Sequence, residues 1–286
     1  MNYEPLKKQK LSNGILGRYV YFLFIGFVLI FGVSYGLTFF VQNKKILDAT
    51  ITSLPYDEIV NVMSDLSAFS SEKTTIKEIY FIDEYQSNID KFCSEATKCV
   101  DITLNDQGKV TAWLNTDILY IGSRGKTYLS TGQNLFNGYT NVEKMYFDNV
   151  DTSMVTTMQS MFYNCSSLTS LDLSRFNTSS VENMRSMFDL CINLVNIDVS
   201  SFNTKNVQTF NWMFSNCRNL ESIDVTSFDT SNATSTAGMF AYLYKVKELD
   251  LSSFDMSNVN DVGAMFLNDT LLKTIYVSNS FNIKSS

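Results

Sequence analysis

The dipeptide Met-Phe recurs at Met161-Phe162, Met187-Phe188, Met213-Phe214, Met239-Phe240 and Met265-Phe266, always 26 residues apart. Other columns keep the same step: Phe176, Phe202, Phe228 and Phe254 form one, and Leu171, Ile197, Ile223, Leu249 and Ile275 another. A period that does not drift means one supersecondary unit stacked on copies of itself. Each unit has an apolar face that only a neighbouring unit can bury. Stepping back once more reaches Leu135-Phe136, Val142 and Met145, so six units run from about Leu129 to Val277.

The unit from Phe176 to Phe202 can be read closely. Ser179-Ser180-Val181-Glu182 fits a capping box, and Val181, Met184, Phe188 and Cys191 follow at the spacing of one helix face. Ile197 and Val199 alternate with Asp198 and Ser200, which predicts a short strand. The expected fold class is therefore α/β: a leucine-rich-repeat-type solenoid with a short helix and a short parallel strand in each 26-residue unit.

Residues 129–286 form this repeat solenoid, and residues 76–128 read as a β-rich N-terminal cap over its first unit. Ile76–Ile82 is β-rich. Val100–Leu104 and Lys109–Leu114 flank the turn Asn105-Asp106-Gln107-Gly108 as a hairpin, and a further strand is expected at Ile118–Ile121. Residues 42–75 read as a helical juxtamembrane segment and linker. Pro55 opens a helix whose stripe is Ile59, Val62, Met63 and Leu66, and Ser67–Thr75 is polar.

Ahead of these lies an uncharged apolar run, residues 19–41, preceded by a basic tail, residues 1–18. At about 1.5 Å per residue the 23-residue run reaches about 35 Å, enough to cross a ~30 Å hydrocarbon core. A cleaved signal peptide would have a shorter apolar region ending in small residues, whereas this run ends Phe39-Phe40-Val41, so a single transmembrane helix is expected. Lys7, Lys8, Lys10 and Arg18 precede it and only Lys44 and Lys45 closely follow. The N-terminus is thus expected in the cytoplasm and the repeats outside the plasma membrane. Gly32 and Gly36 are spaced for close helix packing, though a glycine pair in such a span is more often chance.

Composition narrows the chemistry. Histidine is absent, which removes Ser-His-Asp and Cys-His catalysis. Acidic residues number 29 against 22 basic, so nucleic acid and anionic membrane surfaces are poor partners. No phosphate loop, paired-carboxylate motif or metal-ligand spacing stands out. Catalytic, cofactor-binding and metal-binding residues are therefore all expected to be absent, and the chain is read as a non-enzyme.

One strand column facing away from the core reads Asp172, Asp198, Asp224 and Asp250, beside Ser174, Ser200, Thr226 and Ser252. On its other side stand Ser170, Asn196, Ser222 and Glu248. The four aspartates with Ser174, Ser200, Thr226 and Ser252 are the candidate ligand-facing positions, either an acidic strip for a cationic ligand or Ca²⁺, or carboxylates hydrogen-bonded to nearby hydroxyls and amides. Carboxylates stacked ~5 Å apart repel by only about 0.8 kcal/mol per pair in water, so the column does not require a cation. The Met and Phe columns read as core. The pairs Asn177-Thr178, Asn203-Thr204 and Asp229-Thr230 read as turn and capping chemistry. Cys165, Cys191 and Cys217 share one column and read as small core side chains. Cys93 and Cys99 lie outside the repeats and are candidates for a local disulfide, with two free thiols as the alternative.

The stretch SMFYNCSSLTSLDLSRFNTSSVENM, residues 160–184, and MFSNCRNLESIDVTSFDTSNA, from Met213 to Ala233, resemble the repeats of the BspA-like leucine-rich-repeat surface proteins. ITLNDQGKVTAWL, residues 102–114, resembles the stretch that opens that family's repeat domain. The resemblance implies a cell-surface protein that adheres to extracellular host or microbial surface proteins. No cysteine follows the apolar run and FNIKSS lacks a sorting signal, so attachment is expected to rest on the N-terminal span. The rival expectation is a self-associating component of the cell envelope, pairing through Ile275-Tyr276-Val277.

Overall fold

The computed structural model describes residues 61–104 and 108–282. The basic tail, the apolar run at residues 19–41, the segment to residue 60 and the hairpin turn at residues 105–107 lie outside these. Among the described residues no helix is long and apolar enough to cross a membrane.

The N-terminal part builds two small sheets. Strand β1 is Asn61–Met63, β2 Glu78–Asp83, β3 Lys98–Asp101, β4 Thr111–Asn115, β5 Ile118–Ser123, β6 Thr127–Leu129, β7 Lys144–Tyr146 and β8 Val150–Asp151. A helix, α1, spans Gln86–Glu95. The larger sheet has the order β3-β4-β5-β2-β7, and the smaller β1-β6-β8. Antiparallel pairing of β3 with β4 makes the hairpin, while β2 runs parallel to both β5 and β7. Because β7 and β8 belong to the first repeat unit, both sheets continue from the preceding segment into the repeats.

Two expectations for this segment fail. Val62, Met63 and Leu66 do not form a helix stripe; Asn61–Met63 is a strand paired with Thr127–Leu129. The spacing that suggested a helix arises because Val62 and Met63 are buried on both faces of a strand and Leu66 on the turn after it. Nor is Ser67–Thr75 a polar linker. It turns through Ser67–Phe69, a 3₁₀ turn that buries Phe69, and Lys73 donates to the Asn137 carbonyl at 2.9 Å.

The repeat units stack in parallel, one above the next. Isolated bridges link Thr157 to Asn183, Asn183 to Thr209, Thr209 to Ser235 and Ser235 to Asp261. The rings of Phe136, Phe162, Phe188, Phe214, Phe240 and Phe266 form a continuous stack, with neighbouring centroids 5.4–6.2 Å apart. Around it pack Met161, Met187, Met213 and Met239, all fully buried, and Phe176, Phe202, Phe228 and Phe254.

The described repeats contain no helix. From Met158 to Cys165 the chain runs as overlapping three-residue turns: the N–H groups of Met161, Tyr163 and Cys165 each donate to the carbonyl three residues back. The intervening N–H groups of Met158, Ser160, Phe162 and Asn164 point to the next unit. They donate to the carbonyls of Asn183, Arg185, Met187 and Asp189 at 2.8–2.9 Å. Such alternation needs left-handed backbone at two positions per unit. Ser160 and Asn164, Ser186 and Leu190, Trp212 and Asn216, Gly238 and Tyr242, and Ala264 and Asn268 all have φ between 52° and 65°. Each non-glycine residue there costs on the order of 1 kcal/mol, offset by the bonds between units. The capping box is likewise absent: the Ser179 N–H is taken by Asn177 Oδ1, and the Glu182 N–H by the Thr156 carbonyl of the preceding unit.

The expected strands are only partly realised. Glu248–Leu251 (β9) and Thr274–Val277 (β10) pair in parallel. In the central units the corresponding segments are held by single bonds such as Val195 N–H to the Thr169 carbonyl, 3.0 Å. The units still align there, since apolar and polar positions alternate as in a strand.

Threonine contributes more than turn chemistry. Thr152, Thr178, Thr204 and Thr230 are almost wholly buried. Each hydroxyl donates to the carbonyl and accepts from the N–H of the residue 25 further on; for Thr204 the partner is Asp229, at 3.0 and 2.8 Å. The side chain thus replaces a main-chain bridge between units. Thr204→Val keeps the shape but strands a buried donor and acceptor, and is expected to cost about 1–3 kcal/mol in urea unfolding. Thr204→Ser, which keeps the hydroxyl, should cost less. The three column cysteines donate similarly, Cys191 Sγ to the Phe162 carbonyl at 3.1 Å, and burial raises their thiols to pKa values above the ordinary range.

The unit whose sequence departs from the pattern keeps its place. Ala233 and Thr236 are buried, and the Thr236 N–H reaches the Asp261 carbonyl at 2.9 Å. Gly238 is required there, because a Cβ would fall 2.2 Å from the Trp212 ring of the unit before.

In the last unit Asp269 accepts the Leu243 N–H at 2.8 Å, and burial lifts its carboxyl to about 6. A raised acid stabilises the fold fully below the unfolded value of 3.8, and that contribution is lost as pH rises through about 6. Asp269→Asn should therefore raise the melting temperature at pH 7 and leave it little changed at pH 4. After allowance for its half-exposed setting the gain is on the order of 1 kcal/mol. An equal shift at both pH values would place the effect elsewhere.

Candidate ligand-facing surface

The eight candidate positions, Asp172, Asp198, Asp224 and Asp250 with Ser174, Ser200, Thr226 and Ser252, fall together on one exposed face, and the neighbouring Ser170, Asn196, Ser222 and Glu248 are exposed beside them. The alternation that buries Leu171 and Leu173 turns Asp172 outward, and the same holds in each unit.

Each aspartate has a local partner. The N–H two residues on donates to its Oδ1 at 2.9 Å, from Ser174, Ser200, Thr226 and Ser252 in turn. The Thr226 hydroxyl adds a second bond to Asp224 at 2.6 Å. The side-chain hydroxyl and then the main-chain N–H of that residue hold all four carboxyls below the ordinary range. Neighbouring aspartates push Asp198 and Asp224 the other way, and the hydrogen bonds prevail. These acids stabilise the fold above the unfolded value and lose that contribution as pH falls through their lowered folded values. The column thus turns the chain out of the strand before each buried Phe. Among the described residues no group of three or more Cys, Asp or Glu is placed to hold a metal ion.

The face extends beyond the aspartates. One step before Asp172 stands Tyr146, and one step after Asp250 stands Tyr276, paired with it in the β9–β10 register. From Tyr146 the same column crosses the larger sheet through Tyr80 and Tyr120 to Trp113. Their rings stack, with centroids 4.4 Å apart for Tyr80–Tyr146 and 5.4 Å for Tyr80–Tyr120 and Trp113–Tyr120. Sequence reasoning missed this aromatic half. Stepping 26 residues from the aspartates would have found Tyr146 and Tyr276, but Tyr80 and Tyr120 lie outside the period.

Cys93 and Cys99 are joined in a disulfide, with Cα atoms 5.4 Å apart. It ties α1 to the edge strand β3 and keeps Phe92 stacked on Trp113, ring centroids 5.9 Å apart. It sits at the far end of the aromatic row and takes no part in the aspartate column.

Fold and surface together define a stacked-repeat protein in which a column of exposed aspartates continues into a row of half-buried aromatics. The chain matches the family described as "Mycoplasma protein of unknown function, DUF285" over residues 130–248 and 195–285. These segments take in more than half of the chain, which therefore belongs to that family. No curated protein matches the chain. No solved structure matches it either.

Proposed function

We propose that the chain is a BspA-like surface protein. In this reading its stacked units form a solenoid of the leucine-rich-repeat class, and it binds other proteins at the cell surface without catalysis. A single N-terminal span holds it in the plasma membrane with the repeats outside, where they meet extracellular host or microbial surface proteins. The observation that carries this reading is the outward-facing column that runs from half-buried Tyr80 to exposed Tyr146, the four exposed aspartates and exposed Tyr276. A laterally continuous face suits recognition of a large partner better than conversion of a small one. The Cys93–Cys99 disulfide fits an oxidising location outside the cytoplasm. Two experiments test it. Protease added to intact cells should remove the repeats. Cells displaying the full chain should bind extracellular matrix saturably, and should lose that binding when Asp198 and Asp224 are both replaced by lysine. Protected repeats, or binding unchanged by the substitutions, would refute it.

A second reading, a self-associating envelope component, has its own observation. Leu267, Leu271, Ile275, Tyr276 and Val277 are all exposed in the last unit, beside the free edge of β10. Sedimentation of the full chain in detergent decides: a monomer at high concentration removes this reading.

A further inference from the structure

We propose that the cleft lined by Tyr146, Asp148, Asp172 and Arg175 binds a neutral pyranose sugar ring, as part of a glycan on the surface the protein meets. The inference deepens the adhesion reading and rests on it for the ligand's origin, but the site stands on its own geometry.

The aromatic row ends here. One face of Tyr146 is covered by Tyr80 at 4.4 Å, while the next position in the column is the short side chain of Asp172. Tyr146 is 37% exposed. A cleft therefore opens between its free side and the following unit, lined also by Met145 and Phe147. An aromatic face is electron-rich and attracts the polarised C–H groups on the flat side of a sugar ring.

The polar lining carries both signs. Arg175 reaches back over the cleft to Asp148, Nη2 to Oδ1 at 3.8 Å and Nη1 to the main-chain carbonyl at 3.3 Å. Asp172 gives one oxygen to the Ser174 N–H, and an ionised carboxylate has acceptor sites to spare. An anionic ligand would meet two carboxylates, and a cationic one would lie beside the Arg175 guanidinium. Vicinal hydroxyls satisfy both at once, donating to Asp172 and accepting from Arg175. Arg175 and Asp148 are largely exposed and the cleft is small, so it suits one ring held against Tyr146 at the surface rather than an enclosed ligand.

The test uses the full-length chain in a detergent without a sugar headgroup, titrated by calorimetry. The probes are the methyl glycosides of glucose, galactose and mannose, and N-acetylglucosamine. Expected is saturable binding of at least one, in the millimolar range usual for a single small ring, weakened about tenfold or more by Tyr146→Ala and by Arg175→Gln. Tyr276→Ala, at the other end of the column, should leave it unchanged. If Tyr146→Ala fails to fold, the exposed Arg175→Gln decides. Absence of saturation with all four sugars overturns the proposal, as does unweakened binding in the folded variants. Displacement of the sugar by arginine methyl ester would assign the cleft to a cation and overturn it too. Matrix binding that survives Tyr146→Ala removes the sugar site and leaves the adhesion reading standing.

Discussion

Replacing Phe188 by alanine is expected to lower the unfolding free energy by about 3–5 kcal/mol. Phe188 is wholly buried, with the rings of Phe162 and Phe214 each 5.6 Å away on either side. What makes the loss large is that the gap cannot close. The Phe162 N–H is bonded to the Met187 carbonyl, and the Phe188 N–H to the Met213 carbonyl, both at 2.9 Å. Those bonds fix the separation of the units whatever side chain lies between them, so a cavity remains and its neighbours lose contact. Phe266, at the open end of the stack and only partly buried, should lose much less on the same change. Urea unfolding of both variants checks this; similar losses at the two sites would mean that the central ring is not enclosed.

One extra residue after Glu182 should destabilise more than loss of the whole unit 182–207, which joins Val181 to Gln208. Just after this point the N–H groups of Met184, Ser186, Phe188 and Leu190 point to the following unit, and those of Met187, Asp189 and Cys191 close turns within their own. A single insertion exchanges the two sets, driving bonding groups into the core and buried side chains outward. With on the order of 1 kcal/mol for each bond between units, several lost bonds exceed the stability of an ordinary domain. Removing 26 residues keeps the phase and takes away one layer of core. The deletion should unfold cooperatively at a lowered midpoint, while the insertion should lack a cooperative transition beyond that of the units ahead of it. Equal midpoints would refute a phased ladder.

The step of 26 located the buried columns and the exposed aspartates because it counts layers, and layering does not depend on the local backbone. The helix in each unit was a misreading with a physical cause. Val181, Met184, Met187, Cys191 and Leu194 are buried at intervals of three and four, the spacing of a helix face. A succession of three-residue turns produces the same intervals, and Val181, Met187, Cys191 and Leu194 each donate to the carbonyl three residues back. The distinguishing sign was conformational: Ser186 and Leu190 take left-handed φ, which no composition rule foretells for leucine. The threonine staple was visible as a column at Thr178, Thr204 and Thr230, yet hydroxyls beside Asn or Asp suggest capping until burial is known. Half-buried Tyr80 and Tyr120 joined the column through pairing of β2 with β5 and β7, which the repeat period does not encode.

The most direct measurement is the scalar coupling transmitted across the hydrogen bond of the Phe188 amide, read by NMR on deuterated, labelled chain. Expected is a cross-peak from Phe188 N to the carbonyl carbon of Met213, one unit ahead. A coupling to Met184 instead, four residues back, would restore the helix and contradict stacking through this ladder.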